Sequence, residues 1–149
     1  MNAKISQQEI RRMTSKLKRF RGKLKTEVAK ELGQTAYDAV AVAKVKAPVN
    51  DGFLRANIRP KKRKGGLNWS IRSEANYSAY QEFGTGRKVN LTWLKDAGFP
   101  ASYAAQFRGR GIKQVNIAPQ PFFFPAINQE WPKLKKRVDK LFKEHGRKF

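Results

Sequence analysis

The sequence predicts an α+β protein: a long N-terminal helix, an antiparallel β-sheet of three or more strands, a long loop, and a C-terminal helix packed on the sheet. Three observations predict it. Apolar residues recur at steps of three and four near both ends of the chain, which is helical spacing. Short central stretches alternate apolar and polar residues, which is strand spacing. Residues 87–118 carry neither pattern, and a stretch of that length inside a compact domain marks a functional or partner-ordered loop.

The first helix is expected over residues 6 to about 31. Ser6 and Glu9 have the Ser-x-x-Glu spacing of a capping box. Ile10, Met13, Leu17, Phe20, Leu24 and Val28 form one narrow apolar stripe. Such a stripe fits either docking onto a body or packing on a neighbouring helix. The rest of the helix is crowded with cations, Arg11, Arg12, Lys16 and Arg19 among them, and the first 30 residues carry a net charge of +8. Gly33 marks a bend or short break, and residues 35–46 continue as helix until Ala47-Pro48 ends it.

Residues 53–59 read as the first strand, 60–66 as a loop carrying Lys61, Lys62, Arg63 and Lys64, and 67–73 as the second strand. Tyr77 to Phe83 alternates and reads as a third strand, stopped by Gly84-Thr85-Gly86. Glu82, at the end of that strand, is one of only 11 acidic residues against 33 basic ones, so a cation is expected beside it. Trp93, Phe99, Tyr103 and Phe107 in the loop either await a partner or fold back as core. Pro119 to Ala126 holds three prolines and three phenylalanines, which excludes a central strand and demands burial. Pro125 suits the first turn of the last helix, expected from about Ala126 to Glu144. Ile127, Trp131, Leu134, Val138, Leu141 and Phe142 form its apolar stripe.

The 149 residues read as a single domain, with 1–34 a basic helical extension, 35–145 the core and 146–149 a tail. The net charge of +22 directs the chain toward nucleic acid or acidic protein surfaces. There is no cysteine, hence no disulfide and no thiol chemistry. One histidine and scattered acids do not make a metal site, and no cofactor is expected. No apolar run is long enough for a membrane span and no signal-peptide core stands at the N-terminus, so a reducing cytoplasm is the expected setting. Gly84-Thr85-Gly86-Arg87-Lys88 lacks the ending of a phosphate loop. No nucleophile–base pair is visible, and the sequence argues for a binding or structural protein rather than an enzyme.

Three blocks occur in order: Ala47-Pro48-Val49-x-x-Gly52-x-Leu54-Arg55-x-x-Ile58, Tyr77-x-x-Tyr80-x-Glu82-Phe83-Gly84-Thr85-Gly86, and Pro119-x-Pro121-Phe122-x-x-Pro125-Ala126. With a helix before and a helix after, spanning about 35 to 145, they resemble the gene-10-product-like family of tail components from lambdoid long-tailed phages. The first 30 residues and the 87–118 loop fall outside these blocks. The resemblance implies a structural virion protein: a tail-completion, neck or head–tail joining subunit of a ring, most simply sixfold, set between the head connector and the tail tube around the DNA path. Its implied partners are copies of itself, the head–tail adaptor, and tail tube or terminator proteins. It implies assembly in the host bacterial cytoplasm and no catalytic residues. Gly52, Leu54, Arg55, Glu82, Phe83, Gly84, Thr85, Pro121, Phe122, Pro125 and Ala126 become candidates for fold or subunit contact. Arg55 and Glu82, on strands expected to be neighbours, are expected to pair within or between subunits. The cations Arg11, Arg12, Lys16, Arg19 and Lys61 to Lys64 are candidates for contact with DNA or an acidic partner. The competing reading is a stand-alone basic nucleic-acid-binding protein, supported by charge alone.

Overall fold

The computed structural model describes residues 6–49, 52–63, 65–89, 101–108 and 116–147. Helix α1 runs unbroken over Gln7–Lys46, 40 residues, and at about 1.5 Å per residue it is a rod of roughly 60 Å. The Ser6–Glu9 capping box forms in both directions: the Glu9 N–H donates to Ser6 Oγ and the Ser6 N–H donates to the Glu9 carboxylate. The helix runs through Gly33 without the short break that the sequence suggests. Gly33 is buried because the indole of Trp69 lies over it, and a Cβ there would stand 3.0 Å from Trp69 Cζ2. The glycine admits a ring rather than breaking a helix. Ala47, extended ahead of Pro48, closes α1.

Helix α2 is a single turn, Phe53–Ala56, and strands β1, Ile58–Lys62, and β2, Trp69–Ser73, form a two-stranded antiparallel sheet in which Pro60 faces Ile71. The first strand therefore starts later than its sequence suggests and runs through part of the basic stretch expected to be loop. Gly52, in the left-handed region at φ 77°, turns the chain so that the Ala56 N–H reaches the Gly52 carbonyl, and residues 53–56 close into a helical turn. Pro60 is tolerated because both strands are edges.

The third strand expected over Tyr77–Phe83 does not form. Residues Ser78–Phe83 form helix α3. Over so few residues a period of two and a period of 3.6 both fit, and the adjacent burial of Glu82 and Phe83 is incompatible with alternation. Past α3 come a 3₁₀ turn at Gly86–Lys88, helix α4 at Ala101–Ala105, a second 3₁₀ turn at Gln106–Arg108, and helix α5 at Phe123–Gly146.

Helix α5 packs along α1, not on the sheet as expected. The two run antiparallel. Ala126 joins Val40, Ala43 and Ala47 in the core, Arg137 Nε lies 2.8 Å from Glu31 Oε2, and His145 Nε2 lies 2.6 Å from Glu27 Oε2. The small α1 residues Ala36, Ala39 and Ala43 are buried, which permits this close approach. Leu54, Ile58, Ala75 and Phe122 complete the core, with Phe122 and Ile58 fully enclosed. Of the α1 stripe, Phe20, Leu24 and Val28 are half-buried, whereas Ile10, Met13 and Leu17 are exposed. Of the α5 stripe, Leu134 is buried, while Trp131 and Phe142 face solvent.

Candidate functional site

Two sequence blocks far apart in the chain meet at one place. The Glu82 carboxylate reaches the start of α5, where Oε2 accepts the N–H groups of Phe122 at 2.8 Å and Phe123 at 2.9 Å, and Oε1 accepts that of Phe124 at 3.0 Å. A helix leaves its first four N–H groups without internal partners. Here Phe122 is the capping residue, Phe123 and Phe124 follow, and the fourth position is Pro125, which has no N–H to satisfy. One carboxylate and one proline dispose of all four. The negative charge also sits at the positive end of the helix dipole. Glu82 is 2% exposed, and this burial pushes its carboxyl above the ordinary carboxylate range; the three N–H groups pull the other way and are outweighed.

The loop after Glu82 zips onto the same segment. The Thr85 N–H donates to the Ile117 carbonyl at 3.0 Å, and Thr85 Oγ1 accepts the Ile117 N–H at 2.9 Å. The Gln120 N–H donates to the Gln81 carbonyl at 2.7 Å, and the Arg87 N–H to Asn116 Oδ1 at 3.0 Å. Gly84, at φ 76°, lies against this junction: a Cβ would stand 2.8 Å from the Ile117 carbonyl oxygen and 2.9 Å from Pro119 Cδ. Phe83 anchors an aromatic cluster, stacked on Phe107 at 5.1 Å between ring centres and flanked by Tyr103 and Phe124. Tyr103 and Phe107 thus fold back onto the body, while Trp93 and Phe99 lie outside the described residues. Pro121 is half-buried at the approach to α5. A cavity of about 410 Å³ opens beside Glu82 between β2, α3 and the start of α5.

The expected Arg55–Glu82 pair does not form within the chain. Arg55 donates to the Ala47 carbonyl from Nε at 3.2 Å and from Nη2 at 3.1 Å, securing the C-terminal end of α1, where helix carbonyls lack partners. Glu82 has backbone N–H groups in place of the expected cation. Sequence reasoning missed this role for Glu82; the cue was the coincidence of three unsatisfied donors and a proline at the head of the last helix.

The candidate cations among the described residues are surface groups. Arg11, Arg12, Lys16 and Arg19 are exposed on the first half of α1, as are Lys61, Lys62 and Arg63 on the hairpin, and Lys64 lies outside the described residues. The hairpin lies along α1 with Trp69 at Gly33 and Gly66 at Ala29, so its basic turn points toward the basic half of α1. Among the described residues no group of acids and histidines has the arrangement of a metal site, and no helix is long and apolar enough to cross a membrane.

Residues 11–84 match the family model described as "Bacteriophage HK97-gp10, putative tail-component". No curated protein and no solved structure matches the chain. The matched range takes in α1 from Arg11 onward, both strands and α3. It begins well before the residues that carry the sequence blocks and ends on Gly84, so Pro119 to Ala126, which packs against that end, lies beyond it. Over residues 11–84, just under half of its length, this chain is similar to the HK97-gp10-like family, whose model describes a putative bacteriophage tail component.

Proposed function

We propose that the chain is a structural, non-catalytic subunit of a tailed-phage virion, assembling as a ring at the head–tail joint and completing the tail around the DNA path. The observation that carries this reading is a surface left unfinished by the monomer. The first half of α1 projects beyond the body with Ile10, Met13 and Leu17 exposed at 54%, 63% and 49% among a row of cations. Apolar side chains regularly spaced on a projecting helix are what a subunit presents to neighbours in an assembly. Similarity to a tail-component family supplies the setting; ring formation, a sixfold number, and contact with adaptor, tube or terminator proteins extend it.

The test is to locate the chain in the particle. Cryo-electron microscopy of the neck is expected to place it in a ring between the portal-side connector and the tail tube. Absence from the particle, with a monomer that shifts DNA mobility in a steeply salt-dependent way, would instead establish a stand-alone nucleic-acid-binding protein. The apolar stripe weighs against that second reading, because phosphate contacts satisfy cations and leave leucine and methionine in water.

A further inference from the structure

Near its end, helix α5 sets His145 against Glu27 and edge-on to the ring of Phe20, so its cover of α1 reaches Phe20. From Phe20 to its start, α1 continues beyond α5 for about 20 Å. Its stripe does not stop: Phe20, Leu24 and Val28 lie half-buried where α5 is present, and Leu17, Met13 and Ile10 carry the same line onward, exposed. An open depression of about 1190 Å³, lined by Met13, Lys16, Phe20, Lys23, Glu27 and His145, begins where α5 ends.

The charges change at the same boundary. Along the covered half, α1 supplies acids to a basic helix: Glu27 to His145, Glu31 and Asp38 to Arg137. Along the bare segment, from residue 7 to 19, α1 carries five cations, Arg11, Arg12, Lys16, Lys18 and Arg19, against Glu9, and Glu9 is already bound to Ser6. A second copy offering the same segment would set five cations against five, which charge repulsion forbids. Nucleic acid would satisfy the cations and leave the apolar stripe wet. Only a helix with an apolar line and acidic flanks answers both demands.

We propose that the first half of α1 is the docking site for an acidic amphipathic helix of a neighbouring tail protein, laid end to end with α5 along the same stripe. This rests on the reading of the chain as an assembled tail subunit, and it names the chemistry of one partner.

The test uses the full chain with three probes followed by fluorescence anisotropy: a synthetic peptide with leucines at helical spacing flanked by glutamates, a glutamate-rich peptide of equal charge without leucines, and a short DNA duplex. The first is expected to bind and to keep its affinity within roughly tenfold between about 0.15 and 0.5 M salt, while the other two lose theirs. Met13→Asp and Leu17→Asp are each expected to weaken the first peptide by roughly tenfold or more. Both side chains are exposed, so the thermal melt should not move. Failure of the first peptide to bind, binding insensitive to both substitutions, or self-association of the chain abolished by L17D would each overturn the proposal. Mass spectrometry of purified particles separates the two levels. A chain present in the particle with no peptide binding defeats this inference alone, whereas a chain absent from the particle defeats the tail-subunit reading beneath it.

Discussion

At the start of α5, three backbone N–H groups converge on one buried carboxylate. Along the first half of α1, three apolar side chains face solvent and eight cations have no ion-pair partner among the described residues. The first region closes on itself; the second is complete only against something else. Changes in the closed region should therefore act on folding and leave binding chemistry alone, and changes in the open region should do the reverse.

The sharpest way to break that division is Glu82→Ala. It leaves three donors without acceptors in a buried place, and at about 1–3 kcal/mol for each unsatisfied group the loss is expected to be on the order of 3 kcal/mol or more, read by urea unfolding. A loss below about 1 kcal/mol would mean that water replaces the carboxylate and that the region is not closed. Gly84→Ala comes next, expected to cost roughly 1–3 kcal/mol, because it combines a positive φ with a Cβ driven onto the Ile117 carbonyl. Thr85→Val keeps the shape, removes the acceptor for the Ile117 N–H, and is expected to cost about 1 kcal/mol. Leu17→Asp should change stability by less than about 0.5 kcal/mol while removing helix docking, which is the contrast in a single residue.

Acidity gives a finer probe of the closed region. The Glu82 carboxyl is held above its ordinary value of 4.5 by burial, so the folded chain binds that proton more tightly than the unfolded chain does. The associated stability is fully present below 4.5 and is lost as pH rises through the raised value. Wild type should therefore lose stability relative to Glu82→Gln between acid and neutral pH. A difference that stays flat across this range would show that burial does not govern the group.

The two regions were unequally legible in the sequence. The capping box, the presence of a last helix and the stripe of α1 could be read because each is a local pattern whose period matches the element that forms. Of the two uses its narrowness allows, the inner part of the stripe takes one, packing on a neighbouring helix, while Ile10, Met13 and Leu17 stay exposed. The Tyr77–Phe83 stretch failed as a strand because its decisive contacts lie 40 to 42 positions away, at the head of α5, and no local period encodes them. Arg55 failed in the same way, since the carbonyls it meets belong to the end of α1 rather than to a facing strand. Gly33 was read as a breaker because sequence alone does not show the indole that occupies its missing side chain.

The unbroken course of α1 has a mechanical consequence. Leu17 and Gly33 sit on one rod, separated by roughly 24 Å, and whatever grips the outer half is held at a fixed distance and angle from the body. The helix is thus a ruler with a phase. Inserting seven residues after Gly22 would lengthen it by about 10 Å and turn the outer stripe by only about 20°, whereas inserting two would swing that stripe to roughly the opposite side. Particles assembled with the two variants should differ accordingly: a longer reach in one, and a helix facing away from its neighbour in the other.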